Sequence, residues 1–266
     1  MTPIHESRHT LCSLDAAGIG TLQLREAGAL NIVGSAAIGE LHQALDRLAT
    51  LPQLRVLVLR GSGDKAFIGG ADIGEMAALD TAGAQAFITR LAGLCDAVAA
   101  LPVPVIARLS GWCLGGGLEV AMACDIRICD ETAMFGMPEV KVGIPSVIHA
   151  SLLPRLIGES RAQWLLLCCE NIDAAKAESW GLVHERCAVG EIDARVRQRA
   201  QALAALPPQA LRQQKRLLRH WQTVPLAQAV HDSIDEFAKA YTTGEPQALM
   251  GEFMAHKAER VRRRGA

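Results

Sequence analysis

The stretch that decides the fold is residues 111–145, which read GWCLGGGLEVAMACDIRICDETAMFGMPEVKVGIP. Three glycines at 115–117 are followed directly by apolar residues that are typical of a buried helix. A glycine turn that opens a helix leaves backbone N–H groups without intrahelical partners, and the helix dipole makes these groups attract negative charge. The stretch therefore predicts a backbone site for an anion, or for an oxyanion that forms during a reaction.

Two carboxylates belong to the same stretch. Glu119 falls in the first turn of the predicted helix, and Glu139 follows a tight turn at 135–138. A pair of carboxylates beside a backbone anion site indicates acid–base chemistry on a carbonyl compound. Taken singly, Glu119 is also explained as a carboxylate that stabilises a helix N-terminus, and Glu139 as a solvated loop residue.

A second glycine-rich turn lies earlier in the chain. Residues 65–73 read KAFIGGADI and follow a buried strand predicted at 54–59. Glycines let a backbone approach a ligand closely, so the N–H of Ala71 would be able to point at a ligand oxygen. A purely structural turn is the alternative. Neither glycine run matches the pattern of a phosphate-binding loop or of a dinucleotide-binding fold.

Composition narrows the class of protein. Half of the 266 residues are hydrophobic and the net charge is −1, so composition gives no argument for a nucleic-acid or membrane-surface partner. The eight cysteines form no C-x-x-C pair, and we expect buried thiols and no metal site. The sequence has no apolar signal segment and no long apolar run, so we expect a soluble, cytoplasmic protein.

The order of predicted elements indicates an α/β fold. A hairpin is predicted within 10–25, and the strands and helices that follow alternate: helix 35–48, strand 54–59, helix 81–100, strand 103–109, helix 118–124, strand 126–128. Such alternation favours parallel strands. Helices are predicted at 151–170, 174–180 and through most of 191–266, with a last strand at 182–184. We expect a core domain over 1–206 and a helical region over 207–266, with Pro207 and Pro208 at the boundary.

Three segments, in this order and spacing, resemble the crotonase, or enoyl-CoA hydratase/isomerase, superfamily: KAFIGGADIGEM (65–76), GWCLGGGLEVAMACDIRI (111–128) and FGMPEVKVGIP (135–145). The resemblance extends to GEPQALMGEFMAHK (244–257), and so covers nearly the whole chain. It implies a spiral of ββα repeats with a helical C-terminal trimerisation region. It further implies a homotrimer or dimer of trimers that acts on an acyl-CoA thioester, with coenzyme A as part of the substrate and no separate cofactor.

The resemblance also implies roles for individual residues. The N–H groups of Ala71 and Gly116 would hold the thioester oxygen, while Glu119 activates water and Glu139 donates a proton. The presence of both glutamates favours hydration of a 2-enoyl-CoA. The residues implied to bind substrate, of which the last two would come from a neighbouring subunit, are Arg25, Lys65, Phe67, Gly69, Ala71, Asp72, Ile73, Trp112, Leu114, Gly115, Pro138, Ser146, Phe253 and Lys257.

The chain departs from the family pattern beside the reacting carbons. Residues 143–149 read GIPSVIH, where common hydratases have a glycine-rich turn. Ser146, Val147 and Ile148 add side-chain volume and remove backbone freedom there. Gly74 also stands where many relatives carry a lysine. The usual short-chain substrate and the usual placement of the water are therefore not implied for this chain.

Two other functions fit the same motifs. An enoyl-CoA double-bond isomerase needs only one carboxylate to move a proton between two carbons of the thioester. A non-catalytic acyl-CoA-binding protein would keep the fold without turnover, because a fold does not fix a function. Replacing Glu119 with Gln separates the first alternative from hydration, since isomerisation would largely survive the change.

Overall fold

The computed structural model describes residues 2–264. The strands, in chain order, are β1 (Thr2–Glu6), β2 (Thr10–Leu14), β3 (Ile19–Leu24), β4 (Val56–Arg60), β5 (Ala66–Ile68), β6 (Val105–Leu109), β7 (Trp112–Leu114), β8 (Ile126–Asp130), β9 (Met134–Gly136), β10 (Ile172–Asp173) and β11 (Glu185–Cys187). The α-helices are α1 (Ser35–Ala49), α2 (Ile73–Ala77), α3 (Thr81–Ala100), α4 (Gly116–Ala123), α5 (Leu153–Ile157), α6 (Glu159–Gln163), α7 (Ala174–Trp180), α8 (Ile192–Ala204), α9 (Pro208–His220), α10 (Leu226–Ala240) and α11 (Glu245–Arg264). Short 3₁₀ helices lie at Glu139–Val142, Ile148–Leu152 and Tyr241–Thr243, and a π-helical turn lies at Trp164–Cys168.

The chain divides into two compact units, of which the first ends at Ala204 and the second begins at Ala205. The first unit contains both sheets. Its large sheet has the order β1-β2-β3-β4-β6-β8-β11, in which β1 to β3 are antiparallel and the remaining neighbours are parallel. The predicted hairpin at 10–25 and the predicted parallel sheet are thus confirmed.

The large sheet is covered on both faces. Along β4, Leu57 and Leu59 face the main core that α1 and α3 complete, whereas Val56 and Val58 belong to a second cluster with α8. Burial on both faces explains why β4 is a continuous apolar run instead of an alternating one. The helices predicted at 35–48 and 81–100 are confirmed as α1 and α3.

The small sheet has the order β10-β9-β7-β5, and its strands β5, β7 and β9 run parallel. After each of β4, β6 and β8 in the large sheet, the chain enters the small sheet through β5, β7 and β9 in turn. Helices α2 and α3 follow β5, and α4 follows β7, so the chain repeats a ββα pattern. Strands of three residues are too short to show a period, and the sequence did not predict this sheet.

Two boundaries differ from the prediction. The last strand is Glu185–Cys187 and not 182–184, because Leu182 and Val183 are buried in the main core just before it. The predicted helix over 151–170 is divided into a 3₁₀ turn, α5, α6 and a π-helical turn, and Gly158 separates α5 from α6. Gly158 has φ +83°, which a continuous right-handed helix does not allow.

The second unit consists of α9, α10, a 3₁₀ turn and α11. Glu245 at the start of α11 accepts hydrogen bonds from the backbone N–H groups of Gln209 and Ala210, both at 3.0 Å, and so caps α9. Helix α10 carries a row of exposed apolar side chains at helical spacing: Leu226, Val230, Ile234 and Phe237. Within residues 2–264 no helix has both the length and the apolar character that crossing a bilayer requires.

Candidate active site

The site lies where three strands of the small sheet end. Because β5, β7 and β9 are parallel neighbours, their carboxyl ends meet at one edge of the sheet, the usual place for ligands in such folds. The turn with Ala71 follows β5, the turn with Gly116 follows β7, and Glu139 follows β9. All three line one cavity of about 600 Å³, together with Glu119.

The turn after β5 fixes the direction of the Ala71 amide. Val33 donates its N–H to the carbonyl of Gly70 and accepts from the N–H of Asp72, both at 3.0 Å. Backbone groups alternate in direction along an extended chain, so the N–H of Ala71 points to the side opposite Val33. The Asp72 side chain accepts from the N–H of Glu75 at 3.1 Å and caps α2, which fixes the end of the turn.

The turn after β7 requires its glycines for steric reasons. Gly115 has φ +52° and donates its N–H to the carbonyl of Gly136 at 2.9 Å. A Cβ at Gly115 would come within 2.5 Å of Glu139 Oε1, and one at Gly117 within 2.2 Å of the Ile68 carbonyl oxygen. Gly116 begins α4, so its N–H has no intrahelical acceptor and lies at the positive end of the helix dipole.

Glu119 is a buried carboxyl on α4, with 3% of its surface exposed. Its Oε1 accepts a hydrogen bond of 2.9 Å from the N–H of Ala150, which also donates to the carbonyl of Val147. Burial raises the pKa of Glu119 to about 8; the Ala150 hydrogen bond opposes this, and the nearby charge of Glu139 adds to it. Burial therefore favours the protonated form of Glu119 over the ionised form.

Glu139 is half-buried and begins the 3₁₀ turn Glu139–Val142. Its Oε2 accepts a hydrogen bond of 2.8 Å from the hydroxyl of Ser146. Burial raises the pKa of Glu139, whereas hydrogen bonds from its own backbone and from Ser146 oppose the increase. The charge of Glu139 contributes to the raised pKa of Glu119, so the titration of Glu119 depends on the protonation of Glu139.

The rest of the cavity is apolar. Helices α2 and α3 and the rim segment, which we define as residues 142–149, contribute the side chains of Met76, Phe87, Ile88, Leu91, Val142, Ile144 and Val147. Within the rim segment, Ile148 has φ +37°, a conformation that is unusual for a β-branched residue. The cavity therefore combines a polar end, with two carboxyls and backbone amides, and an apolar wall.

Most of the predicted site residues line this cavity. Besides the two glutamates, they are Gly69, Ala71, Asp72, Ile73, Leu114, Gly115, Gly116, Pro138 and Ser146. Three predicted residues lie elsewhere in the first unit. Phe67 is packed in the main core, while Lys65 and Trp112 line a different cavity of about 510 Å³. The structure does not bring their side chains to the carboxyls.

Three more predicted residues lie apart from the cavity lining. Arg25 forms ion pairs with Glu6 and Glu26 near the end of β3. Phe253 and Lys257 are exposed on α11 of the second unit. Their predicted contacts with substrate stay predictions.

Sequence reasoning missed the Ala150 N–H and the apolar wall. A backbone donor has no side-chain signature, so no residue type at position 150 would have revealed it. The period of α3 predicted a helix with a buried face, but Ile88 and Leu91 are assigned to a cavity only when α3 is placed beside α2 and the rim segment. This placement depends on tertiary structure, which the periodicity of the sequence does not reveal.

Comparison with known proteins gives the same family that the motifs resemble. Residues 15–259 match the sequence model of the family described as Enoyl-CoA hydratase/isomerase. The chain is 32% identical over 241 residues to the probable enoyl-CoA hydratase echA8 of Mycobacterium bovis, covering 90% of this chain and 93% of that protein. It is 31% identical over 237 residues to the crotonyl-CoA hydratase of Syntrophomonas wolfei, covering 89% and 91%.

Similarity to a solved structure extends over nearly the whole chain. The crystal structure of a putative enoyl-CoA hydratase from Streptomyces coelicolor A3(2) superposes with a TM-score of 0.87 at 33% identity, covering 98% of this chain and 94% of that one. The α/β fold expected from the motifs is thereby confirmed. The chain belongs to the enoyl-CoA hydratase/isomerase family, the crotonase superfamily.

Proposed function

We propose that this protein is an enoyl-CoA hydratase, which adds water across the C2–C3 double bond of a 2-enoyl-CoA thioester. The observation that carries the proposal is that Glu119 and Glu139 line one cavity with the backbone of Ala71 and Gly116. Relatives named enoyl-CoA hydratase and crotonyl-CoA hydratase support the same reaction.

The two amides would stabilise the charge that develops on the thioester oxygen. When water attacks C3, the electron pair of the double bond moves towards the carbonyl and forms an enolate. Donors from Ala71 and Gly116 are fixed by the fold, so they need no reorganisation as the charge develops. Each such donor is worth about 3–4 kcal/mol of transition-state stabilisation.

The two carboxyls would share one proton and carry out both proton transfers of the reaction. In the forward reaction Glu119 takes a proton from the attacking water, and Glu139 gives a proton to C2. The step therefore ends with Glu119 protonated and Glu139 ionised. Deeper burial of Glu119 and the Ser146 hydrogen bond to Glu139 favour this arrangement. It is also the state that starts the reverse reaction, dehydration of a 3-hydroxyacyl-CoA.

The test is the loss of the conjugated-thioester absorbance on mixing the protein with crotonyl-CoA and with longer 2-enoyl-CoA substrates. The wild type is expected to turn over. Glu119→Gln and Glu139→Gln are each expected to lose about 10²–10⁴-fold in kcat, because each removes an acid–base group. Binding without turnover on every thioester would contradict the proposal and favour a non-catalytic acyl-CoA-binding protein.

Double-bond isomerisation is the second candidate. Glu139, held by Ser146 and lining the cavity with both amides, supplies the single proton carrier that an isomerase needs. A 3-enoyl-CoA substrate distinguishes the two functions. If the protein is an isomerase, Glu119→Gln keeps most of its activity on that substrate and the wild type does not hydrate crotonyl-CoA.

The exposed apolar row on α10 supports assembly as a homotrimer or a dimer of trimers, as the family resemblance implies. Light scattering coupled to size-exclusion chromatography measures the mass of the particle. A monomer at micromolar concentration would contradict this part of the proposal.

A further inference from the structure

The apolar wall of the cavity is larger than the chemistry requires. The reacting groups occupy the polar end, where Glu119, Glu139, Ala71 and Gly116 lie. Beyond them, Phe87 and Leu91 are almost fully buried, and Met76 and Ile88 are partly exposed. A crotonyl group carries only one methyl group beyond its double bond, so it would leave most of this wall uncovered.

The wall continues to the surface of the protein. Ile73 and three residues of the rim segment, Val142, Ile144 and Val147, line the cavity while 40–58% of each residue is exposed. Exposed large apolar side chains grouped at the mouth of a cavity mark a surface that is covered when a ligand binds.

The charges at the cavity show which ligand fits the wall. The titratable groups among its lining residues are Asp72, Glu119, Glu139 and Lys141. Asp72 precedes α2, Glu119 lies on α4, and Glu139 and Lys141 lie in the 3₁₀ turn Glu139–Val142. The lining side chains of α3 are all apolar: Phe87, Ile88 and Leu91. The part of the ligand that lies against α3 is therefore uncharged and apolar.

We propose that the preferred substrate is a 2-enoyl thioester with an apolar acyl chain longer than crotonyl, whose tail lies between α3 and the rim segment. The occupant is the acyl chain because the wall is continuous with the carboxyls that would act on the head of the same molecule. This inference rests on the proposed function, since the head of the substrate must lie at the two glutamates.

The expected effect follows from the burial of methylene groups. Each methylene that moves from water into the apolar wall is worth about 0.8 kcal/mol, which corresponds to about a fourfold rise in kcat/KM. The rise continues from crotonyl-CoA through hexenoyl-CoA and octenoyl-CoA until the tail reaches the cavity mouth, and then levels off. A preference for crotonyl-CoA, or equal kcat/KM across the series, overturns the inference while leaving hydration intact.

Val147→Asp and Ile144→Asp test the place of the tail. Covering a carboxylate of the rim segment with an apolar chain removes the charge from water, which costs free energy. Each change is therefore expected to lower the ratio of kcat/KM for octenoyl-CoA to kcat/KM for crotonyl-CoA at least tenfold. The matched control is Leu167→Asp, because Leu167 is exposed and lies outside this cavity. A fall of the ratio in the control, or no fall in either rim variant, overturns the placement.

Binding of saturated thioesters separates failure of this inference from failure of the proposed function. Calorimetric titration with butyryl-CoA and octanoyl-CoA needs no turnover. Tighter binding of octanoyl-CoA that Val147→Asp abolishes supports the chain-length inference even if no 2-enoyl-CoA is hydrated. Equal affinity for the two thioesters overturns it, whatever the result of the hydration assay.

Discussion

The two walls of the cavity differ in how tightly the fold determines them. All eight residues of α4 are buried, and its glycine turn touches Ile68 and Glu139 so closely that no side chain fits. The rim segment opposite is mostly exposed, connects two short 3₁₀ turns, and contains Ile148 at positive φ. One wall is therefore fixed by packing, whereas the side chains of the other have free space around them.

The largest expected difference between the walls is in their tolerance of a methyl group. Gly117→Ala places Cβ 2.2 Å from a backbone oxygen that cannot move aside, so we expect a loss of about 3 kcal/mol or more in the free energy of unfolding. In the rim segment, Gly143→Ala meets no atom within 4 Å and has only the cost of φ +83°, about 1 kcal/mol.

Denaturant unfolding measures the free energy of unfolding of both glycine variants, and thermal melts measure their melting temperatures. The melting temperature of Gly117→Ala is expected to fall by about 10 °C, and that of Gly143→Ala by a few degrees. Equal losses in the free energy of unfolding would contradict the difference between the walls, because they would show that both are packed alike.

The next effect is the pH dependence of stability. The folded-state pKa of Glu119 is about 8, above the ordinary value of 4.5, so its contribution to stability is complete below pH 4.5 and is lost as pH rises through 8. Glu119→Gln removes the cost of ionising this carboxyl. The variant is expected to be more stable than the wild type by a few kcal/mol at pH 9, and about equal to it at pH 5.

Thermal melts of wild type and Glu119→Gln across pH 5 to 9 test this prediction. Glu139→Gln is the matched control: its pKa is also raised by burial, but Glu139 is only half-buried, so a smaller gain of the same sign is expected. Parallel stability curves for wild type and Glu119→Gln would mean that Glu119 is ionised without cost, which contradicts a pKa raised by burial.

The smallest effect concerns the hydrogen bond between Ser146 of the rim segment and Glu139, which packs against the glycine turn. Ser146→Ala removes the hydroxyl that donates to Glu139, so the pKa of Glu139 rises further. In hydration Glu139 must hold the proton that it gives to C2, so its pKa contributes to the alkaline limb of the pH profile of kcat/KM, and that limb is expected to move to higher pH by up to about one unit. Ser146→Thr keeps a hydroxyl and should restore the wild-type limb. An unchanged limb in Ser146→Ala would show that the Ser146 hydroxyl does not affect the pKa of Glu139.

The same contrast explains what the sequence could predict. Residues with dense packing constraints leave a pattern, so the apolar runs of β4 and α3 were sufficient to predict an α/β fold with parallel strands, and the glycines at 115–117 to predict a turn that opens a buried helix. The ββα repeat was implied only by the family resemblance. The small sheet escaped prediction because its strands have two or three residues. The apolar wall escaped because it combines residues of α2, α3 and the rim segment that are distant in the chain.

If two carboxyls and two amides add water to a conjugated thioester, both parts of the water molecule enter the product, and isotope incorporation measures this. The protein is incubated with a 2-enoyl-CoA in D₂O enriched in ¹⁸O, and the product is analysed by mass spectrometry and NMR. Hydration is expected to place one deuterium at C2, and to place ¹⁸O at C3 in the same proportion as in the solvent. Deuterium in a shifted alkene without ¹⁸O would contradict hydration and establish isomerisation, and recovery of unlabelled substrate would contradict both.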